Sequence, residues 1–123
     1  MKKIYVVSPY AGDVKRNVAN AIDYCKFVMS KGYMPLASHL YFTQLTDDNI
    51  PEERTQGLNM GLELLEMCDE TWVFYENRIS SGMAGEIART NELGLPLKYF
   101  LCKNGIIQGE FQLVAGWKQK NKR

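Results

Sequence analysis

The sequence predicts an α/β protein with a parallel sheet of four to five strands and helices on both of its faces. Three observations support this prediction: short runs of β-branched and aromatic residues, helical apolar spacing between those runs, and 46% hydrophobic residues in a chain of 123. A chain of this size encloses one core and is too short for two ordinary domains. We therefore predict one domain over residues 1–117 and a disordered basic tail at 118–123.

The predicted strands are short and separated by turn signals, as in a sheet buried on both faces. They cover residues 4–7, 34–38, 71–75 and 97–101, and the first is expected to be central. The polar segment 39–49 reads as a long functional loop. The apolar segment 104–117 is either a fifth strand with a terminal helix or an arm that packs on a second subunit.

Three helices are predicted between the strands. The first begins near Val14 and is closed by Lys31-Gly32, with an apolar face of Val14, Val18, Ala21, Ile22, Cys25, Val28 and Met29. The second begins at Pro51-Glu52-Glu53 and ends near Cys68-Asp69, and the third is capped by Ser80-Ser81-Gly82 and runs to Leu93-Gly94. The methionines Met29, Met60, Met67 and Met83 are expected at core positions. Right-handed crossovers wind this order into a Rossmann-like or flavodoxin-like sheet.

Charge and cysteine usage exclude several classes of function. A formal net charge of +1 provides no global field toward polymeric nucleic acid or an anionic membrane. Three separated cysteines favour neither a disulfide framework nor a zinc site, and they are expected to be buried thiols. The first apolar run is too short for a signal peptide or a membrane span, so we expect a cytoplasmic protein of a bacterium or a phage-infected cell. No metal or cofactor is expected.

Three segments should meet at the carboxyl ends of the strands, where α/β sheets bind ligands. The first either cradles a phosphate with backbone amides or needs its glycine and aspartate only for turn geometry, and its candidate ligand-binding residues are Ser8, Pro9, Tyr10, Gly12 and Asp13. The second contributes Ser81, Gly82 and Met83 beside Glu86, a carboxylate that either attacks a ribose carbon or merely complements the helix dipole.

The third segment is the aromatic loop after the second strand. It carries His39, the single histidine of the chain, and Tyr41. These side chains either stack on and hydrogen-bond a base, or form a dimer contact or a lid. Arg54 and Asn59 could lie near this loop. Asp69 before the third strand is either a site acid or a turn residue.

The motifs together carry a family resemblance. The Ser-Pro-Tyr-x-Gly-Asp turn, Ser-His-Leu-Tyr-Phe-Thr-Gln, Cys-Asp-Glu-x-Trp-Val-Phe and Ser-x-Gly-Met-x-x-Glu-Ile resemble small phage and bacterial proteins of unassigned function. That group is similar to the nucleoside 2-deoxyribosyltransferases. The resemblance covers roughly residues 3–100.

The resemblance to the transferases implies roles for three residues. It matches their sugar-attacking glutamate with Glu86, an aspartate near their site with Asp69, and the tyrosine that orients the nucleophile with Tyr5. The aspartate expected shortly before the glycine turn is missing, since residues 78–81 are Arg-Ile-Ser-Ser. In the transferases a neighbouring subunit completes the site, so the resemblance implies a homodimer or a higher homo-oligomer.

Two functions follow as expectations. In the first, Glu86 acts with Asp69 and Tyr5, and the protein is an N-glycosidic hydrolase or transferase acting on a small-molecule nucleoside or nucleotide. In the second, the pocket holds a nucleotide without cleaving it, as in a phage protein that sequesters a nucleotide immune signal. A weaker alternative is an interaction module with Trp117 in its contact surface.

Overall fold

A computed structural model describes residues 1–112, which contain one five-stranded sheet flanked by three helices. The strands are β1 (Lys3–Val7), β2 (Met34–Leu36), β3 (Glu70–Tyr75), β4 (Leu97–Lys103) and β5 (Ile106–Phe111). Their spatial order is β2-β1-β3-β4-β5. The first four strands are parallel, and β5 is antiparallel to β4. Within this part of the chain, no helix has the length and apolarity needed to cross a bilayer.

The helices are α1 (Val14–Ser30), α2 (Pro51–Glu66) and α3 (Ser81–Glu92). As predicted, Pro51 opens α2, with Glu52 and Glu53 in its first turn, near the positive end of the helix. The Ser80 hydroxyl caps α3 by accepting a hydrogen bond from the Met83 amide at 3.3 Å. This cap fixes where α3 begins, at the carboxyl edge of the sheet.

Both faces of the sheet are buried, which explains the continuous apolar run of β1. Successive residues of β1 alternate between the two faces: Ile4 and Val6 pack toward α1, while Tyr5 and Val7 pack toward α2 and α3. On the α1 side, the Tyr24 and Phe74 rings stack with centroids 4.6 Å apart. The strand alternation thus places the Tyr5 hydroxyl under α2 and α3.

The α/β class and the order of strands and helices are confirmed, with two corrections to the sheet and one to the segment after β2. The central position belongs to β3, whereas β1 lies between β2 and β3. The added strand β5 is antiparallel because Asn104 and Gly105, both at positive φ, form a two-residue turn that reverses the chain. The segment after β2 contains two short 3-10 helices, Ser38–Leu40 and Phe42–Gln44, instead of an irregular loop.

The predicted apolar face of α1 is wrong in part. Ala21 and Val28 are buried as expected, but Met29 is 60% exposed, and Val14 and Ile22 are 40% and 43% exposed. The helix instead turns the side that contains Tyr24 toward the sheet, where the Tyr24 ring stacks on Phe74. The methionine prediction holds for Met83, which is 2% exposed, and fails for Met67, which is 64% exposed. Residues 113–123, including Trp117 and the predicted tail, lie outside the described residues.

Truncating the buried ring of Phe74 tests the α1-side core. Phe74 has no exposed surface and stacks on both Tyr24 and Phe100. We expect Phe74→Ala to lower the free energy of unfolding by about 3–5 kcal/mol in urea titrations. Met29→Ala is the control, and its change should stay within about 0.5 kcal/mol because the side chain is exposed. Equal losses in the two variants would contradict this packing.

Candidate active site

A cavity of about 370 Å³ opens at the carboxyl edge of the sheet. Its wall combines the turn after β1, the segment after β2, one side of α2 and the beginning of α3. This is the place where open α/β sheets bind ligands, and the volume suits a small organic molecule. The three segments singled out in the sequence therefore do converge.

Glu86 lies in the cavity wall, where its carboxylate faces the buried Tyr5. Its carboxylate accepts a short hydrogen bond from the Tyr5 hydroxyl. The Tyr5 oxygen is also 2.8 Å from the Ser38 hydroxyl oxygen. Because Tyr5 has a single hydroxyl hydrogen, Ser38 donates to Tyr5 when Tyr5 donates to an ionised Glu86. The result is a directed chain from Ser38 through Tyr5 to Glu86.

A glycine allows α2 to approach this chain. A Cβ atom added at Gly61 would lie 3.1 Å from the Ser38 hydroxyl oxygen and 3.5 Å from the Tyr5 hydroxyl oxygen. The first distance is shorter than normal van der Waals contact. Gly61 therefore lets the helix backbone cover the polar chain without displacing it.

Burial controls the charge of Glu86. Desolvation raises the pKa of the Glu86 carboxyl to about 7, although hydrogen bonding with the Tyr5 and Ser38 hydroxyls acts in the opposite direction. Burial and the neighbouring Glu86 charge also raise the pKa of Tyr5 far above its usual value, so Tyr5 stays a hydrogen-bond donor. A carboxyl that titrates near neutrality in a cavity is typical of catalytic groups.

Ser8 and His39 form a second polar group in the same cavity. Ser8 follows β1, and its hydroxyl oxygen is 2.9 Å from His39 Nε2. Both side chains are nearly buried, at 6% and 9% exposure. Burial lowers the pKa of His39 to about 4, so its imidazole is neutral at physiological pH. The edge of the Tyr10 ring faces the imidazole, with centroids 6.4 Å apart.

The rest of the cavity wall is mainly apolar, hydroxylic or glycine. Arg54 and Asp48 line it and form a loose ion pair, with 3.9 Å between Nη1 and Oδ2. Both side chains are about half exposed, so the pair is at the solvent side of the cavity and contributes little to stability.

Most of the residues predicted to bind the ligand do line the cavity. These are Ser8, Tyr10, His39, Ser81, Gly82 and Met83. Tyr5 contributes through its hydroxyl contact with Glu86. Arg54 also lines the cavity, whereas Asn59 does not.

Four predicted ligand-binding residues lie outside the cavity wall: Pro9, Gly12, Asp13 and Tyr41. Asp13 instead caps α1, since its carboxylate accepts a hydrogen bond from the Arg16 amide. Gly12 provides a positive φ of 98° for the turn. The Tyr41 ring is 60% exposed and packs on Phe42. For Gly12 and Asp13, the structure therefore supports the alternative in which they serve the geometry of the turn.

The structure also corrects the placement of Asp69. Its carboxylate accepts a hydrogen bond of 2.7 Å from the Lys3 amide, and its own amide donates to the Lys3 carbonyl. Both residues lie at the amino ends of parallel strands, whereas Glu86 lies in a cavity at the carboxyl ends. Asp69 therefore extends the pairing of β1 with β3 and is not part of this site.

Sequence reasoning missed much of the cavity wall. Six wall residues lie within the predicted segments 8–13, 38–44 and 80–86 but were not named as ligand-binding: Ala11, Ser38, Phe42, Thr43, Ser80 and Gly85. Six others lie outside those segments and were missed: Thr46, Asp48, Gly57, Leu58, Gly61 and Leu62. Those on α2 share one side of the helix, at spacings of three and four residues. That spacing, with two glycines on it, was the available signal for a helix that faces a ligand instead of a core.

Comparisons with known proteins agree with this fold. Residues 2–100 match the family described as Domain of unknown function (DUF7768). The structure resembles a 2-deoxyribosyltransferase from Bacillus psychrosaccharolyticus, with a TM-score of 0.64, 22% identity, and coverage of 80% of this chain and 72% of that chain. It also resembles a 2-deoxyribosyltransferase from Leishmania mexicana, with a TM-score of 0.59, 19% identity, and coverage of 84% and 66%. The comparison with curated proteins finds no match.

The raised pKa of Glu86 makes folding stability depend on pH. Since the carboxyl titrates near 7 when folded and near 4.5 when unfolded, its protonation stabilises the fold fully below about pH 4.5. We expect this contribution to the free energy of unfolding to be lost as the pH rises from about 4.5 to 7. The measurement is the difference in unfolding free energy between the native chain and Glu86→Gln, followed across pH. A difference that stays constant over this range would contradict the assigned titration.

Proposed function

Because this chain belongs to the family described as Domain of unknown function (DUF7768), and its fold is that of 2-deoxyribosyltransferases, we propose that it acts on nucleosides or nucleotides. The reaction is cleavage or transfer at an N-glycosidic bond. Glu86 is the nucleophile, Tyr5 orients it, and the cavity at the carboxyl edge of the sheet holds the substrate.

One observation carries this proposal: the Glu86 carboxylate lies in the cavity wall under a hydrogen bond from a buried tyrosine. A glutamate that only complemented the helix dipole would face solvent and need no such partner. The buried Tyr5 hydroxyl restricts the carboxylate to one orientation, and Ser38 restricts Tyr5 in turn. An oriented carboxylate with a pKa near 7 suits attack on a sugar carbon.

The chemistry requires the groups of the cavity, a proton for the departing base, and an acceptor for the sugar, which is water or a second base. A carboxylate oxygen of Glu86 forms a bond to C1′ as the C1′–N bond breaks, and the bonding electron pair leaves with the base. The ionised carboxylate stabilises the oxocarbenium-like transition state. Water or an N–H nitrogen of a second base then attacks C1′ as the C1′–Oε bond breaks and the carboxylate is freed. The proton that this nucleophile loses balances the proton that the departing base takes up. Water gives hydrolysis, and a second base gives transfer.

The alternative of a protein that only sequesters a nucleotide has less support. The described cavity wall offers a single cationic side chain, Arg54, and Asp48 already pairs with it. A sequestering site for a polyanion needs several donors of positive charge. The expectations of a homodimer or larger homo-oligomer, and of one domain over residues 1–117, remain proposals.

Loss of the nucleophile should abolish turnover. We expect the purified protein to release free base from members of a panel of ribonucleosides, deoxynucleosides and their monophosphates, as measured by chromatography. Glu86→Gln should lower this rate by about 10³-fold or more, as is typical when a nucleophile is removed. Glu92→Gln is the matched control, since Glu92 is on the same helix but exposed and paired with Arg89. Its rate should equal that of the native chain.

Base release that persists unchanged in Glu86→Gln would contradict the catalytic assignment. Recovery of one intact nucleotide from the protein, with no base released from any substrate, would contradict the enzyme proposal. It would instead establish a binding protein on a transferase fold.

A further inference from the structure

We propose that the Ser8–His39 pair is the subsite for the leaving base and stabilises the charge that develops on that base as the C1′–N bond breaks. This inference rests on the proposed function and adds the group that acts at the other end of the scissile bond. The evidence is the position of the pair in the cavity, its neutral charge, and the engagement of the carboxyl and guanidinium groups of the cavity wall.

The backbone places the pair at a defined position relative to Glu86. Ser38 and His39 are consecutive in one 3-10 helix. Ser38 contacts Tyr5 of the chain that leads to Glu86, whereas His39 contacts Ser8. The Thr43 hydroxyl donates to the His39 carbonyl at 2.7 Å and holds this helix in place. On the strand side, Tyr5 and Ser8 are three residues apart, which is about 10 Å of extended chain. The two polar groups therefore lie at separate positions along β1 and the turn that follows it, and a ligand that contacts both must extend between them.

The pair has the hydrogen-bonding capacity that a heterocyclic base requires. A neutral imidazole has one donor nitrogen and one acceptor nitrogen, and a serine hydroxyl can donate and accept. If Nε2 donates to Ser8, the Ser8 hydroxyl is free to donate to an acceptor atom of the base. If Nε2 accepts from Ser8, the Ser8 oxygen is free to accept from a base N–H group. The pair can therefore bind either a hydrogen-bond acceptor or a hydrogen-bond donor on the edge of a base.

The carboxyl and guanidinium groups of the described cavity wall are already engaged. Glu86 is held by Tyr5 for attack on the sugar, and Arg54 pairs with Asp48 on the solvent side. The Ser8–His39 pair is more deeply buried than the Arg54–Asp48 pair. A hydrogen bond made at such a dry position is stronger than one made in water.

The pair acts during the first step of the reaction. The C1′–Oε bond to Glu86 forms, the C1′–N bond breaks, and the electron pair moves onto the base. The Ser8 hydroxyl, supported by His39, donates a hydrogen bond to the ring atom on which the negative charge accumulates. A proton from water then neutralises the base. A substrate with a good leaving group does not need this assistance.

The test compares two substrates that carry the same pentose, a nucleoside and its 4-nitrophenyl glycoside. We expect Ser8→Ala and His39→Phe to lower kcat/KM for the nucleoside by about 10²-fold, a typical contribution for assistance of this kind. Both variants should cleave the nitrophenyl glycoside at the native rate. Glu86→Gln should lose activity on both substrates, and Ser30→Ala, an exposed serine at the end of α1, should lose neither.

An equal loss on both substrates in Ser8→Ala would overturn the proposal, because it would show a general structural role. Activity of Glu86→Gln on both substrates would instead refute the proposed nucleophile. Binding of a free purine or pyrimidine base, measured by calorimetry, gives a readout that does not depend on turnover. Ser8→Ala should weaken that binding, while Glu86→Gln should retain it. Unchanged base affinity in Ser8→Ala would also overturn the proposal.

Discussion

The hydrogen bond between Tyr5 and Glu86 is the constraint on which the site depends. It joins the interior of β1 to the first turns of α3, two segments separated by 81 positions along the chain. Tyr5 has no exposed surface, so its hydroxyl must find a partner inside the protein. Glu86 and Ser38 provide those partners, and the glycine at position 61 allows α2 to close over them. The polar chain therefore fixes the arrangement of three elements around the cavity.

The Tyr5 hydroxyl orients Glu86, and burial sets the pKa of its carboxyl. A carboxylate in water titrates near 4.5 and carries a strong hydration shell, whereas the Glu86 carboxyl has a pKa near 7. The two hydroxyl contacts keep it from rising further. The site thus holds a carboxylate that is available at neutral pH and poorly hydrated, beside a neutral Ser8–His39 pair.

Local signals in the sequence predicted most of the fold. The Ser80 cap, the Pro51 start and the β-branched run of β1 each reflect interactions within a few residues. The buried face of α1 was not predictable in this way, because two apolar stripes compete and the sheet selects the one with Tyr24. The antiparallel β5 did have a signal in Asn104-Gly105, a dipeptide typical of two-residue hairpins.

The site was predictable where residues follow strand ends, as do Ser8 and His39, or open a helix, as does Glu86. Gly61 was missed although its spacing with Gly57 was visible, and its close contact with Ser38 depends on how α2 packs. Asp69 was assigned to the site on the family resemblance, although a residue that precedes a strand of the predicted parallel sheet lies at the amino edge, opposite the cavity.

The most direct test of the catalytic claim is the intact mass of the protein after an acid quench during turnover of a nucleoside. The account predicts an adduct of one sugar residue, located on the peptide that contains Glu86. Base release without such an adduct, or an adduct on another residue, would contradict it.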